Sequence, residues 1–583
     1  MANPSSPPRR RRWPVNKSIL ALALGAALLM TGAASAADVN MINLDPAGVG
    51  LNDATPVSPI GGNPGKTRGE QARIVYRFAM DMWGGVLESP VDINVYASFA
   101  PLACTSTSGT LASAGANDLW LLNDGVTDRV YGAALAEALI GENLSDPADP
   151  GDIVSRFNGN LGAPGCLDGM EWYFGLDGNT PAGKVNFLNV VMHEIGHGLG
   201  VQGFVYTQNT TFLGYYTYGY SDPYTYNAYD TVLNKRFEAM TNAERKVAMS
   251  TPGRTVWTGP NVNYNASLIL DRRNALRPTA PAAIAGRDYE VGYAAFGPLA
   301  TPANFPDRAL VLVDDGNSTA NGGVGTTSDG CSANGAATTA GDTIVYANAA
   351  AVAGKVAVID RGTCSFEYKA KIAQDNGAVG VIIVNNAAGV IDMAVGAPPT
   401  TGLTIPTVMI SQADGTQLKA NLTGASAGMV LSNLKAGTDG AGRTRLYTPS
   451  TLAPGSTYSH FDTVLSPDAL MEPFDSEAVQ ANYTADLTPA LFADIGWTLN
   501  PGNGKLFKGI CDTGVDAVAD GGLVLGSNVQ AYNNVCSIGA TRTTYYNCMN
   551  AHATKLQGIG LISSTQKSKI LTCARRVSDN WGR

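Results

Sequence analysis

The sequence predicts a mixed fold of α/β (α+β) type, interrupted by a compact inserted unit and closed by a small disulfide-rich helical module. Three observations carry this. A helical stretch leads into an alternating strand near the start, strand and helix signals crowd together between 305 and 435, and four of the eight cysteines fall within 501–583. With 583 residues, 45% of them hydrophobic and 15% charged, the chain can build more than one core. Its 67 glycines follow no three-residue period, which indicates a loop-rich globular protein and excludes collagen.

Residues 1–36 read as a cleavable export leader: Arg9 to Arg12 and Lys17, an apolar run from Ile19 to Met30, then Ala34-Ser35-Ala36. The apolar run is shorter than the roughly 20 residues of a membrane-spanning helix, so no stable membrane insertion is expected once it is removed. Losing its five basic residues takes the net charge from −9 to −14. An acidic surface disfavours nucleic acid and anionic lipid as partners. The basic, rather short leader points to a bacterial secretory route, ending in the periplasm or the medium.

The elements follow in order. After a polar lead-in, QARIVYRFAMDMWGG at 71–85 is helical, with Ile74, Phe78 and Met82 at four-residue spacing. VDINVYASF at 91–99 alternates as a strand does, and VNFLNVVMHEIGHGLG at 185–200 reads as a second helix. Residues 206–229 carry eight tyrosines among Gly, Thr and Asn, the composition of a structured loop; packing on the body outweighs a substrate-contacting rim. KVAVID (355–360), SFEYKAKIAQDNGA (365–378), VGVIIVNN (379–386) and PTVMIS (406–411) form a strand-helix-strand-strand series with the look of a domain of its own. The chain returns to its earlier style over 436–500, and two helices are expected near the end, around 543–560 and 564–577. The boundaries are thus 1–36, 37–304, 305–435, 436–500 and 501–583.

An even cysteine count in an exported chain argues for disulfides. Cys104 and Cys166 precede the main motif, Cys331 and Cys364 lie in the inserted unit, and Cys511, Cys536, Cys548 and Cys573 allow three pairings among which the sequence does not choose. None forms a close CxxC pair, so a thiolate zinc site is not expected.

The chemistry concentrates in His193-Glu194-Ile195-Gly196-His197. Four-residue spacing on a helix puts both imidazoles on one face, able to share one zinc ion, with Glu194 beside the metal as general base. The chain has only four histidines, and two are here. Catalytic zinc needs a third protein ligand and an open position. His552 lies among the C-terminal cysteines on what reads as an exposed helix. His460 sits in GSTYSHFDTVLSPDALMEPF, a Gly/Ser/Asp/Pro-rich loop suited to placing one side chain, and is the better candidate. Asp462 could serve within that loop by holding an imidazole, though ordinary loop capping is the commoner role.

His193-Glu-x-x-His197-x-x-Gly200, followed much later by Ser459-His460-Phe461-Asp462 and Leu470-Met471, resembles the metzincin clan of zinc endopeptidases, and most of all its leishmanolysin-like branch. Most metzincins place the third histidine three residues after the glycine, where this chain has Gly203; the leishmanolysin-like pattern delays it behind a long insertion, as His460 is delayed here. The resemblance implies a zincin catalytic domain over roughly 60–300 and 435–500. It further implies zinc on His193, His197 and His460, a sharp turn at Gly200, Met471 in a turn beneath the metal, and DLTPALFADIGW (486–497) as a closing helix. The implied activity is hydrolysis of internal peptide bonds of proteins, with Glu194 taking a proton from the metal's water. Gly354 to Phe366, Lys369, Gly377 to Asn386 and Ile405-Pro406 resemble a protease-associated (PA) domain, which implies a Cys331–Cys364 disulfide, no catalytic residues there, and a catalytic domain split in sequence.

Two rivals stand beside this. One is an exported protein-binding module with a vestigial zinc site, against which the intact Glu194 counts; the other is a zinc hydrolase of a non-peptide substrate. The Asp/Asn/Gly-rich loops leave room for Ca2+, but without a standard calcium-loop pattern.

Overall fold

The computed structural model describes residues 36–332, 344–387, 389–396, 402–507 and 509–581; the leader reading falls, apart from Ala36, outside them. Among the described residues no helix is long and apolar enough to cross a membrane. The chain divides into two compact units, one of residues 1–270 with 443–583, the other Asp271–Gly442.

The first unit is built on a four-stranded sheet. Strands β1 (Val39–Asn43), β2 (Ile93–Ala100) and β4 (Ile153–Asn158) run parallel in that spatial order, and β3 (Ala112–Ala116) pairs antiparallel with β4 at the edge. Helix α1 (Arg68–Val86) covers one face. Its N-cap Thr67 accepts from the Glu70 N–H, and Ile74, Phe78 and Met82 are all buried, as their spacing requires. Helix α2 (Phe187–Leu199) starts at Asn186, whose side chain accepts the Leu188 and Asn189 N–H groups. Phe187, fully buried, stands within 5.0–5.6 Å, ring centre to ring centre, of Phe99, Phe157, Trp172 and Phe174. Burying one such ring is worth about 1.5–3 kcal/mol, so the first turn of α2 is anchored before any metal is considered.

The tyrosine-rich segment is a loop for most of its length, but Pro223–Asn227 forms a helical turn capped by Asp222. Proline at the first helical position and an aspartate cap favour that turn, a local signal outweighed in the sequence by the surrounding composition.

The second unit is a seven-stranded mixed sheet. Its central strands β7 (Arg308–Leu312), β8 (Val356–Asp360), β9 (Gly380–Val384) and β10 (Thr407–Ile410) run parallel, with helix α3 (Phe366–Asp375) crossing between β8 and β9. Flanking them are β6 (Gly292–Tyr293) at one side, and β11 (Ser426–Lys435) followed by the outermost strand β5 (Arg272–Ala280) at the other. The unit is therefore wider than the 305–435 segment, because the antiparallel β5–β11 ladder completes its sheet. Cys331 and Cys364 are bridged.

The first unit resumes at Arg443, seven residues later than the 435/436 boundary expected from the sequence, and includes 501–583. Helices α4 (Thr488–Ile495), α5 (Leu525–Ser537), α6 (Arg542–Gly558) and α7 (Ser564–Asp579) follow one another; α5 had no clear signal in the sequence, its interior carrying Gly526, Ser527 and three asparagines. It packs on α1, with Phe78 and Tyr532 meeting edge to face at 5.1 Å. Bridges Cys511–Cys573 and Cys536–Cys548 resolve the C-terminal pairing, and Cys104–Cys166 closes the fourth.

Candidate metal centre

Three imidazoles converge in the first unit. His193 and His197 leave α2 one turn apart, and His460 arrives from the loop before Met471. Their Nε2 atoms lie 3.0 Å (His193 to His197), 3.1 Å (His197 to His460) and 3.3 Å (His193 to His460) apart. Each Nδ1 faces a backbone carbonyl: Leu470 at 2.7 Å for His193, Val201 at 2.6 Å for His197 and Ser456 at 2.8 Å for His460. A carbonyl can only accept, so each Nδ1 carries the proton and each Nε2 presents a lone pair. Burial keeps the imidazoles uncharged: it pushes His197 down to about 3, with the neighbouring His193 adding to the shift, and lowers His193 and His460 as well.

Three lone pairs aimed at one point repel unless a cation sits among them. Tetrahedral zinc sites hold imidazole nitrogens at about 2.0–2.1 Å, which spaces neighbouring nitrogens roughly 3.3 Å apart. The observed triangle fits that demand, and the group is a candidate metal-binding site. Among the described residues it is the one set of three or more His, Cys, Asp or Glu side chains so arranged, and no set of carboxylates is.

Glu194 lies on the same helix turn, buried, its carboxylate near the Ala114 backbone of edge strand β3 and its Oε2 without a partner. Burial pushes it up to about 8. An orphaned buried carboxylate oxygen is costly, so it marks a place where a proton or a proton donor belongs.

The glycines of α2 are explained by what a side chain would strike. A Cβ at Gly198 would come within 2.3 Å of Ile153 on β4, so the helix lies directly on the sheet; one at Gly196 would come within 2.9 Å of Met471 Sδ. Met471 is fully buried and thus packs against the turn between the two helix histidines. Gly200 ends the helix at φ 127°, ψ 7°, a conformation glycine tolerates, and lets Val201 turn its carbonyl back to His197. Trp497 Nε1–H donates to the Leu199 carbonyl at 2.7 Å, tying the helix end to the segment after α4. At Gly203 a Cβ would meet the Tyr458 ring at 2.3 Å. That position is filled by the loop that carries His460.

All three Nδ1 atoms face carbonyls, and Asp462, for which loop capping is the favoured role, is buried in the loop with its backbone N–H donating to the Arg445 carbonyl. One expectation changes. His552 is buried and not exposed: its ring stacks on Tyr532 at 3.6 Å and its Nε2 pairs with Asn528 Oδ1 at 2.8 Å. The carbonyls of Leu470, Val201 and Ser456 went unforeseen, because backbone acceptors leave no mark in a sequence.

Residues 309–418 match the family model of the PA domain, so the chain carries a PA domain in the segment between His197 and His460. A stretch of 69 residues is 39% identical to the minor extracellular protease Vpr of Bacillus subtilis (strain 168), covering 12% of this chain and 8% of that protein. The structure of a zinc aminopeptidase from Bacillus subtilis, BSAP, shows 22% identity over 29% of this chain and 36% of its own, with a TM-score of 0.17. An aminopeptidase from Aneurinibacillus sp. strain AM-1 shows 20% identity over 30% of this chain and 38% of its own, also at 0.17. The chain spans under a tenth of the curated relative and little more than a third of these solved chains, so the likeness concerns a part of each molecule.

Proposed function

We propose that this protein is an exported zinc metalloendopeptidase of metzincin type, leishmanolysin-like, that hydrolyses internal peptide bonds of proteins. The observation that carries the reading is the convergence of three Nδ1-capped imidazoles, with Glu194 next to His193 on the same helix and buried with a free carboxylate oxygen. A structural zinc site would close with four protein ligands; three plus a spare base is the composition of a hydrolytic one. The PA domain and the extracellular protease that is 39% identical over 69 residues support a protein substrate and an exported enzyme.

Bound zinc supplies Lewis acidity, polarising a scissile carbonyl and acidifying water. The chain's own residues do the rest. Glu194 Oε2 accepts a proton from the attacking water and passes it to the leaving amine. The three carbonyls hold the imidazoles in one tautomer and one orientation, and Met471 supports the turn beneath them.

Elemental analysis of the purified mature protein and of His460→Ala tests this directly. One zinc per wild-type chain, much less in the variant, and internal cleavage of a protein substrate seen by mass spectrometry would support it. Equal metal in both removes His460 from the site. Zinc without peptide cleavage points to a binding role or another ester or amide substrate.

A further inference from the structure

We propose that Asp486 is a positioning residue for the metal centre and that the C-terminal segment holds it in place. The inference rests on the metal-site reading above and concerns residues remote from it in sequence. Asp486 is buried, and its two carboxylate oxygens divide their work: Oδ2 accepts the Leu470 N–H at 2.6 Å and Oδ1 the Leu487 N–H at 2.5 Å. Leu470 is the residue whose carbonyl accepts the hydrogen bond from His193 Nδ1–H. One peptide unit on either side of the Leu470 Cα therefore links Asp486 to a ligand imidazole, and the following residue is Met471. A carboxylate that fixes the amide of a residue restricts the direction of that residue's carbonyl, and so the ring that bonds to it.

Asp486 sits at φ 40°, in the left-handed region, which a non-glycine side chain occupies only when its surroundings over-determine it. Those surroundings come from the C-terminal segment. The Ala485 N–H and the Thr484 hydroxyl both donate to the Gly522 carbonyl, at 2.8 and 3.2 Å, the Val524 N–H donates to the Tyr483 carbonyl at 3.0 Å, and Asn528 Nδ2 donates to the Asn482 carbonyl at 2.6 Å. Gly522 packs so closely that a Cβ there would fall 1.9 Å from the Asp486 carbonyl oxygen. Asn528 is in turn held by His552. The last segment thus has a physical task in this unit: it clamps 482–486, and Asp486 transmits the clamp to the metal loop.

The test compares wild type, Asp486→Ala, Asp486→Asn and, as a control, Asp494→Asn, a carboxylate on α4 that accepts from Trp257, Asn261 and Val262 and not from Leu470 or any of the three histidines. Zinc affinity is measured by competition with a chromogenic chelator, and the visible spectrum of each Co2+-loaded protein is recorded. Expected are a tenfold or greater loss of affinity with a displaced cobalt band in Asp486→Ala, a smaller change in Asp486→Asn, which keeps one acceptor, and neither in Asp494→Asn. If Asp486→Ala does not fold, Asp486→Asn decides alone. Wild-type affinity and spectrum in the Asp486 variants, or equal losses in Asp494→Asn, overturn the inference while leaving the metal site standing. Failure of the wild type itself to bind either ion removes the metal-site reading, and this inference with it.

Discussion

Glu194, the proposed base, shows how little of such a role lies in residue identity. Its neighbours on α2 hold their Nδ1 protons on carbonyls, whereas one oxygen of its own carboxylate meets nothing. Replacing it by glutamine preserves shape and removes only the ability to take a proton. Glu194→Gln is therefore expected to keep its metal, measured by elemental analysis, while single-turnover cleavage of a peptide falls by about 10²–10⁴-fold. Full turnover in the zinc-loaded variant would end its role as base. The histidine pair and this glutamate were legible in the sequence because helical spacing is a local rule. The orienting carbonyls were not, since any residue can offer one and only folding aims it.

At the scale of elements, the start of β4 shows what buried acids do to stability. Asp152 is fully buried; its Oδ2 accepts the Asn94 N–H, and its Oδ1 and Glu137 Oε1 both lie within hydrogen-bond reach of the single Ser145 hydroxyl, at 2.8 and 3.0 Å. One hydroxyl proton cannot serve two carboxylates, and burial, with Glu137 nearby, pushes Asp152 up to about 7. Its folded value is raised, so its contribution to stability is fully present below the ordinary carboxylate range and is lost as pH rises through 7. Asp152→Asn supplies the missing donor at every pH. The melting temperature of the variant relative to wild type should climb between pH 4 and pH 8, read by circular dichroism; a constant difference would show that no proton is shared there. The elements themselves followed from periodicity where it was strong, as in α1 and the β8-α3-β9 series. It failed at α5, whose helix is imposed by packing on α1 and by the Cys536–Cys548 bridge at its end.

For the whole molecule, two units with separate cores predict separate unfolding events. Calorimetry of the full chain should resolve two transitions, and chelator should lower only the one belonging to residues 1–270 with 443–583, because the three histidines all lie there. A single transition, or an equal shift of both, would contradict this. The helix that carries His193, Glu194 and His197, the scarcity that singled out His460 and the presence of an inserted domain were all readable in the amino-acid order, because they rest on local patterns of residue type. Only the folded chain shows that His460 closes the triangle across 263 residues, that the C-terminal segment belongs to the same unit, and that backbone carbonyls orient the three imidazoles. Those are matters of which distant segments share a core, and contact between distant segments is set by the packing of the whole fold.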